Sequence, residues 1–264
     1  KKTVRGGVNV LKNMKYRAID VPYPFGTPRT VFNRTLSPRR SFASTSLPLA
    51  EFKAVKNAAN VTLNDVVLAT IAGALTRFFE ERGERLSKPL IASVPMAVAM
   101  VGNAPREAGN RVANLFTSLC NDVTNPLLRL QMIPAVTSQS KQVQLQLGIE
   151  TMLDWADAAP AGLYRWILGA FSQSRISDYM PPPANLVVSN VRGPDHPLYV
   201  AGARLRTIYS VGPAVEGIGL NITGWSYCGE LAFGLIADAD AIPDPHIITD
   251  ALRPALDELI DATR

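Results

Sequence analysis

"GIGLNITGWSYCGELAFGL", Gly217 to Leu235, reads as a β-hairpin whose first strand carries three glycines among polar and apolar residues. Alternation places Leu220, Ile222, Gly224 and Ser226 on one face and Gly219, Asn221, Thr223, Trp225 and Tyr227 on the other. The first set predicts a core face. The second combines polar side chains, aromatic rings and the absent side chain of Gly219, which suits a surface closely approached by a ligand or by another backbone.

Outward from the hairpin, helical and strand patterns alternate. Upstream, "ANLVVSNV" reads as a strand closed by "RGPDHP", with "ARLRTIYSV" following, and downstream a last helix begins at Asp244-Pro245 and runs to about Ala262. The clearest helix is "TLNDVVLATIAGALTRFFEERG": Thr62 caps it with Asp65 three residues on, Val67, Ile71, Leu75 and Phe78 share a face, and Gly83 ends it. "SFASTSLPL" predicts a strand leading into a short helix at Pro48. "LIASVPMAV" and "RVANLFTSLC" predict two further strands, followed by a helix capped by Asn125, started by Pro126 and kinked at Pro134. Amphipathic stretches cover Ile149 to Ala158 and Ala161 to Phe171, and "MPPP" stops helical structure. The alternation predicts one layered α/β domain over residues 41–264, with a mixed sheet flanked by helices. Residues 1–40, rich in Pro, Arg and Thr, read as a linker or extended arm. A chain that starts at Lys1 with no clear periodicity is expected of a segment cut from a longer polypeptide.

Composition narrows the function. The chain has 264 residues, 47% hydrophobic and 19% charged, enough to bury a real core. Its net charge of +5 comes largely from basic residues near the start, without the interleaved aromatics of a nucleic-acid surface, so an anionic lipid or a phosphate-bearing ligand fits better than nucleic acid. The longest uncharged run, Pro89 to Pro105, is interrupted by Pro95, Gly102 and Asn103 and makes a poor membrane span. Cys120 and Cys228 are far apart and predict neither a metal site nor a redox pair, which agrees with a reducing cytoplasm.

Catalytic groups are scarce. Acyl transfer near neutral pH ordinarily uses a histidine base, and this chain has only His196, in a proline-bracketed turn, and His246, in the first turn of the final helix. Neither has a nucleophile at a recognisable spacing, and both read as exposed turn residues. No G-x-S-x-G elbow, phosphate loop or dinucleotide fingerprint occurs.

Three segments carry a resemblance that accounts for this scarcity. "NDVVLA" (Asn64 to Ala69), "SNVRGP" (Ser189 to Pro194) and "GIGLNITGWSYCGELAFGLIAD" (Gly217 to Asp238) resemble, in order, the motifs of the bacterial wax ester synthase/acyl-CoA:diacylglycerol acyltransferase family. "PLYVAGARL", "GNRVANLF" and "NPLLRL" agree, so the similarity runs from about Thr27 to the end. The resemblance implies one half of a chloramphenicol-acetyltransferase-like fold, two similar α/β halves with the active site in a tunnel between them. The family's catalytic His-His-x-x-x-Asp-Gly motif belongs to the N-terminal half and is absent from this sequence. By this resemblance the chain is the C-terminal half, contains no catalytic residue, is inactive alone, and has the N-terminal half, covalent or cleaved, as its partner.

The implied reaction moves a fatty acyl group from acyl-CoA, a co-substrate, to diacylglycerol or a long-chain alcohol, with no permanently bound cofactor and no metal. The implied place is the cytoplasm, peripheral to the inner membrane or to lipid inclusions. Ser189, Asn190, Asn221 and Thr223 are candidates for steadying an oxyanion or lining the tunnel. Gly217, Gly219, Trp225 and Ser226 are candidate tunnel walls, with Trp225 and Tyr227 exposed when the half stands alone, and Asn64 and Asp65 support the fold by capping or contact substrate. A non-catalytic lipid-binding or interaction module of the same fold is the alternative. A condensation-type enzyme with a carrier-protein donor fits the Asn-Asp and Ser-Asn-Val motifs less well. Two positions depart from the family pattern that the resemblance implies: Val94-Pro95 is followed by Met96, Ala97, Val98 and Ala99 instead of the usual Ser and Arg, so an anion contact by that arginine does not carry over, and Arg192 replaces a proline, which either alters the turn or adds a positive charge near the tunnel mouth.

Overall fold

The computed structural model describes residues 26–86, 88–97, 112–147, 169 and 173–264. Residues 1–25, Ala99 and, apart from Gly169, the stretches 149–158 and 161–171 lie outside these. In chain order the elements are β1 (Arg40–Pro48), α1 (Leu49–Ala59), α2 (Leu63–Glu81), β2 (Ile91–Ala97), β3 (Val112–Ser118), α3 (Pro126–Leu147), β4 (Leu186–Arg192), β5 (Tyr199–Val200), β6 (Ala203–Arg204), β7 (Leu220–Tyr227), β8 (Glu230–Asp238) and α4 (His246–Ala262).

Six strands form one mixed sheet in the order β1-β8-β7-β4-β2-β3. β2, β4 and β7 run parallel at its centre, and β3, β8 and β1 add antiparallel partners outside them. The β7–β8 hairpin turns through Cys228 (φ 47°) and Gly229 (φ 89°), the pair of positive φ angles that a two-residue turn needs to match the strand twist. β5 and β6 make a separate two-stranded hairpin.

The four helices bury one face of the sheet. Leu186, Val188, Leu220 and Ile222 point into this core, each contributing about 1.5–3 kcal/mol by leaving water. α2 is its centre. From Asp65 to Leu75 every residue of α2 is buried, so the single apolar stripe expected from sequence becomes burial on all sides. Its start is a complete capping box: the Thr62 backbone N–H donates to Asp65 Oδ2 (2.9 Å) and the Asp65 N–H to Thr62 Oγ1 (3.2 Å). Gly83 leaves the helix at φ 67°. Asn125 caps α3 by accepting from the Leu128 N–H at 2.9 Å.

The last part of the expected linker is built into the domain instead. Phe32 is fully buried, its ring 5.7 and 5.4 Å from those of Phe78 and Phe79. Asn33 Nδ2 donates to the carbonyls of Ala184 and Gly217 at 2.9 Å, and Arg29 donates to those of Ser177 and Met180. Residues 26–39 contain no helix or strand, in keeping with their loop-forming composition, yet Arg29, Phe32, Asn33 and Thr35 bind the segment down.

Candidate functional site

The polar-looking face of β7 is covered by backbone at two places. At its start the Gly219 N–H donates to the Phe32 carbonyl (2.8 Å), and a Cβ on Gly219 would stand only 3.0 Å from that oxygen. In its middle a strap formed by residues 205–215 crosses the sheet. Asn221 Nδ2 donates to the Pro213 carbonyl (3.1 Å), and Thr223 Oγ1 donates to Asn221 Oδ1 (3.0 Å). Gly212 and Gly234 permit the approach, since a Cβ on either would collide with Asn221 or with the Ser210 carbonyl. Asn221 and Thr223 are therefore 3% exposed and hold a strap. The exposed Tyr227 expected from sequence is also buried: its hydroxyl accepts from the Leu198 N–H (2.8 Å) and donates to the Leu205 carbonyl (3.0 Å), and Trp225 is half-buried.

The parallel register, with Ser189 beside Thr223 and Asn190 beside Gly224, sorts the remaining candidates by face. Ser189, Asn221, Thr223 and Trp225 lie on the strap side. Asn190 and Ser226 lie on the helix side, where a cleft of about 630 Å³ opens at the carboxyl ends of β4 and β7. Ser189, Asn190, Asn221 and Thr223, the candidates for steadying an oxyanion or lining the tunnel, do not share one face, because neighbouring positions along a strand face opposite ways. Gly217, at φ 79°, uses its carbonyl to accept from Asn33. Asp65 is spent on the cap, and Asn64 is half-buried in the same first turn.

The cleft is built where several chain ends converge. Leu49 and Leu63, the first residues of α1 and α2, border it, as do Lys53, Arg192 and the Cys228-Gly229 turn. The Gly193 N–H donates to Ser226 Oγ at 3.2 Å, which leaves the Ser226 hydroxyl proton able to donate elsewhere. Neither amide atom of Asn190 has a hydrogen-bond partner among the described residues, and a Cβ on Gly224 would be 3.6 Å from its Oδ1. A Cβ on Gly193 would collide with the Ser226 carbonyl and the Trp225 indole, so the Arg192-Gly193 turn is pressed against β7. Asp195 at the lip bonds to the exposed His196 ring (3.3 Å), which holds its carboxyl below the usual range. His246 is exposed at the start of α4. Neither histidine lines the cleft. Among the described residues no cluster of His, Cys, Asp and Glu is arranged to hold a metal.

Sequence reasoning missed Gly193 and Lys53. The Gly-Pro pair after Arg192 was legible as a turn, but its contact with β7 depends on the parallel register. Lys53 looks like any lysine on a helix surface.

Residues 2–67 match the model described as the wax ester synthase/diacylglycerol acyltransferase catalytic domain, and residues 108–260 match that of the WS/DGAT C-terminal domain. The chain is 36% identical over 223 residues to the O-acyltransferase WSD of Acinetobacter baylyi, covering 83% of this chain and 46% of that protein. It is 33% identical over 240 residues to a putative diacylglycerol O-acyltransferase of Mycobacterium tuberculosis, covering 91% and 47%. It thus spans about half the length of the curated relatives it matches. Among solved structures, the wax ester synthase/diacylglycerol acyltransferase of Marinobacter aquaeolei VT8 superposes with a TM-score of 0.66 at 28% identity, over 98% of this chain and 57% of that one. A condensation domain of the enacyloxin polyketide synthase shares the fold, with a TM-score of 0.54 at 15% identity.

Proposed function

Because the chain belongs to the wax ester synthase/diacylglycerol acyltransferase family, we propose that it is the carboxyl-terminal half of an O-acyltransferase that moves a fatty acyl group from coenzyme A to diacylglycerol or a long-chain alcohol. The observation that carries this reading is the cleft at the ends of β4 and β7, which has hydrogen-bond donors at Asn190 and Ser226 and no histidine in its wall. The base belongs to the N-terminal half, by the family resemblance a histidine. It takes the acceptor's hydroxyl proton as the oxygen attacks the thioester carbonyl. The Asn190 amide and the Ser226 hydroxyl donate to the oxygen that becomes negative. Collapse of the tetrahedral intermediate breaks the carbon–sulfur bond, and the coenzyme A thiolate recovers the proton from the base. The enzyme works in the cytoplasm at the surface of the inner membrane or of lipid inclusions, where a net charge of +5 favours an anionic surface.

The test uses the longer protein that carries this chain, assayed with acyl-CoA and either acceptor. Asn190→Ala or Ser226→Ala is expected to lower turnover by about a hundredfold, as loss of an oxyanion donor typically does. Ser189→Ala, on the opposite face, should lower it less than about threefold. Equal effects of all three substitutions, or none, would remove the cleft from the reaction.

A further inference from the structure

We propose that the lip of this cleft binds the phosphate-bearing end of the coenzyme A donor, with Lys53 and Arg192 as its cationic contacts. The inference rests on the acyltransferase reading above and assigns a direction to the donor within the site. Both side chains line the cleft and are solvent-exposed, Lys53 from α1 and Arg192 from the end of β4. Neither has an ion-pair partner among the described residues, and the two come from different elements to the same lip. The one acid at the lip, Asp195, bonds to His196 and also attracts Arg192 at longer range, but its side chain is 93% exposed, so water weakens that attraction.

Other groups at the lip favour an anion too. α1 begins there with no side-chain cap from Pro48, and the one acid in its first turn, Glu51, is paired with Arg253. Deeper in, Asn190, Ser226 and the apolar Leu49 and Leu63 make a surface suited to an amide-bearing chain and not to a second charge. Cations at the mouth with amide-compatible walls behind them match a ligand that has phosphates at one end and a pantetheine arm ending in a thioester.

The test is direct binding by the protein carrying this chain, titrated with coenzyme A and with pantetheine, which lacks the phosphates. Coenzyme A is expected to bind at least about tenfold tighter than pantetheine at low salt. The preference should shrink below about threefold in the Lys53→Gln/Arg192→Gln double variant, and raising salt to about 500 mM should erode it in the parent protein only. Both residues are exposed, and a thermal melt verifies that the variant is folded. Equal affinity for the two ligands in the parent, no binding of coenzyme A, or a preference retained in the variant would each overturn the proposal. Vesicles containing phosphatidic acid supply the other arm: capture that depends on this pair, without a preference for coenzyme A, would assign the site to a lipid phosphate and also overturn it. Phosphate-dependent binding of coenzyme A without acyl transfer to either acceptor would support this proposal while contradicting the enzymatic reading.

Discussion

Gly193 sits where a methyl group has no room. Its Cβ would meet the Ser226 carbonyl and the Trp225 indole, so Gly193→Ala must push the Arg192 turn away from β7. We expect a loss of about 2 kcal/mol or more, read as a lower melting temperature and a lower unfolding midpoint in urea at unchanged m. Asn221→Ala tests the strap: the Pro213 carbonyl and Thr223 hydroxyl lose their partner, which is expected to cost about 1–3 kcal/mol of stability. A fully stable Asn221→Ala protein would release Asn221 from this structural role. At this scale the sequence left two neighbours open for β7, a ligand or another backbone. Polar residues on a buried strand pointed to a close neighbour, and the neighbour is the chain's own backbone: Phe32 over Gly219 and Pro213 over Asn221. Composition registers that something is near, but a strap with no periodicity of its own has no pattern that identifies it.

Elements with strong local rules were legible. The α2 cap, the Asn125 cap of α3 and the β7–β8 hairpin each follow from a few adjacent residues, and the structure contains all three. The segment 26–39 was not, because it is held by contacts distant in sequence, from Phe32 on Phe78 and Phe79 to the Thr35 N–H donating to Asp178 Oδ1 at 2.6 Å. That backbone bond is the main reason the Asp178 carboxyl is held below its ordinary value, with Arg175 adding to it. A depressed folded value means the stabilisation is present above the unfolded value of about 3.9 and is lost as pH falls through the folded one. The stability deficit of Asp178→Asn relative to the parent should therefore be full at neutral pH and shrink below about pH 4. A deficit independent of pH would contradict the clasp. The β5–β6 hairpin makes a different prediction. Tyr199 and Val200 are 64% and 66% exposed, and Arg204 and Arg206 are exposed beside them. Limited trypsin digestion should cut first after one of these arginines, checked by the masses of the fragments.

In the whole molecule, the mixed sheet flanked by helices is the layered α/β domain that alternating strand and helix patterns predicted; that it is one half of a larger fold was implied by the family resemblance, and the solved Marinobacter relative has the same architecture over 57% of its length. The site was less legible. Its residues come from α1, α2, β4 and the β7–β8 turn, and only the parallel pairing of β4 with β7 shows that Asn190 and Ser226 share a face that Ser189 and Asn221 do not. No single described helix is long and apolar enough to cross a membrane. In the reaction proposed above, this chain supplies the cleft while the base comes from the N-terminal half. The most direct test is acyl transfer from a radiolabelled acyl-CoA to diacylglycerol and to a long-chain alcohol, measured for the 264-residue chain alone and after co-expression with an N-terminal half containing the His-His-x-x-x-Asp-Gly motif. The account predicts no turnover by the chain alone and turnover by the completed pair; sustained turnover by the chain, purified free of any second polypeptide, would contradict it.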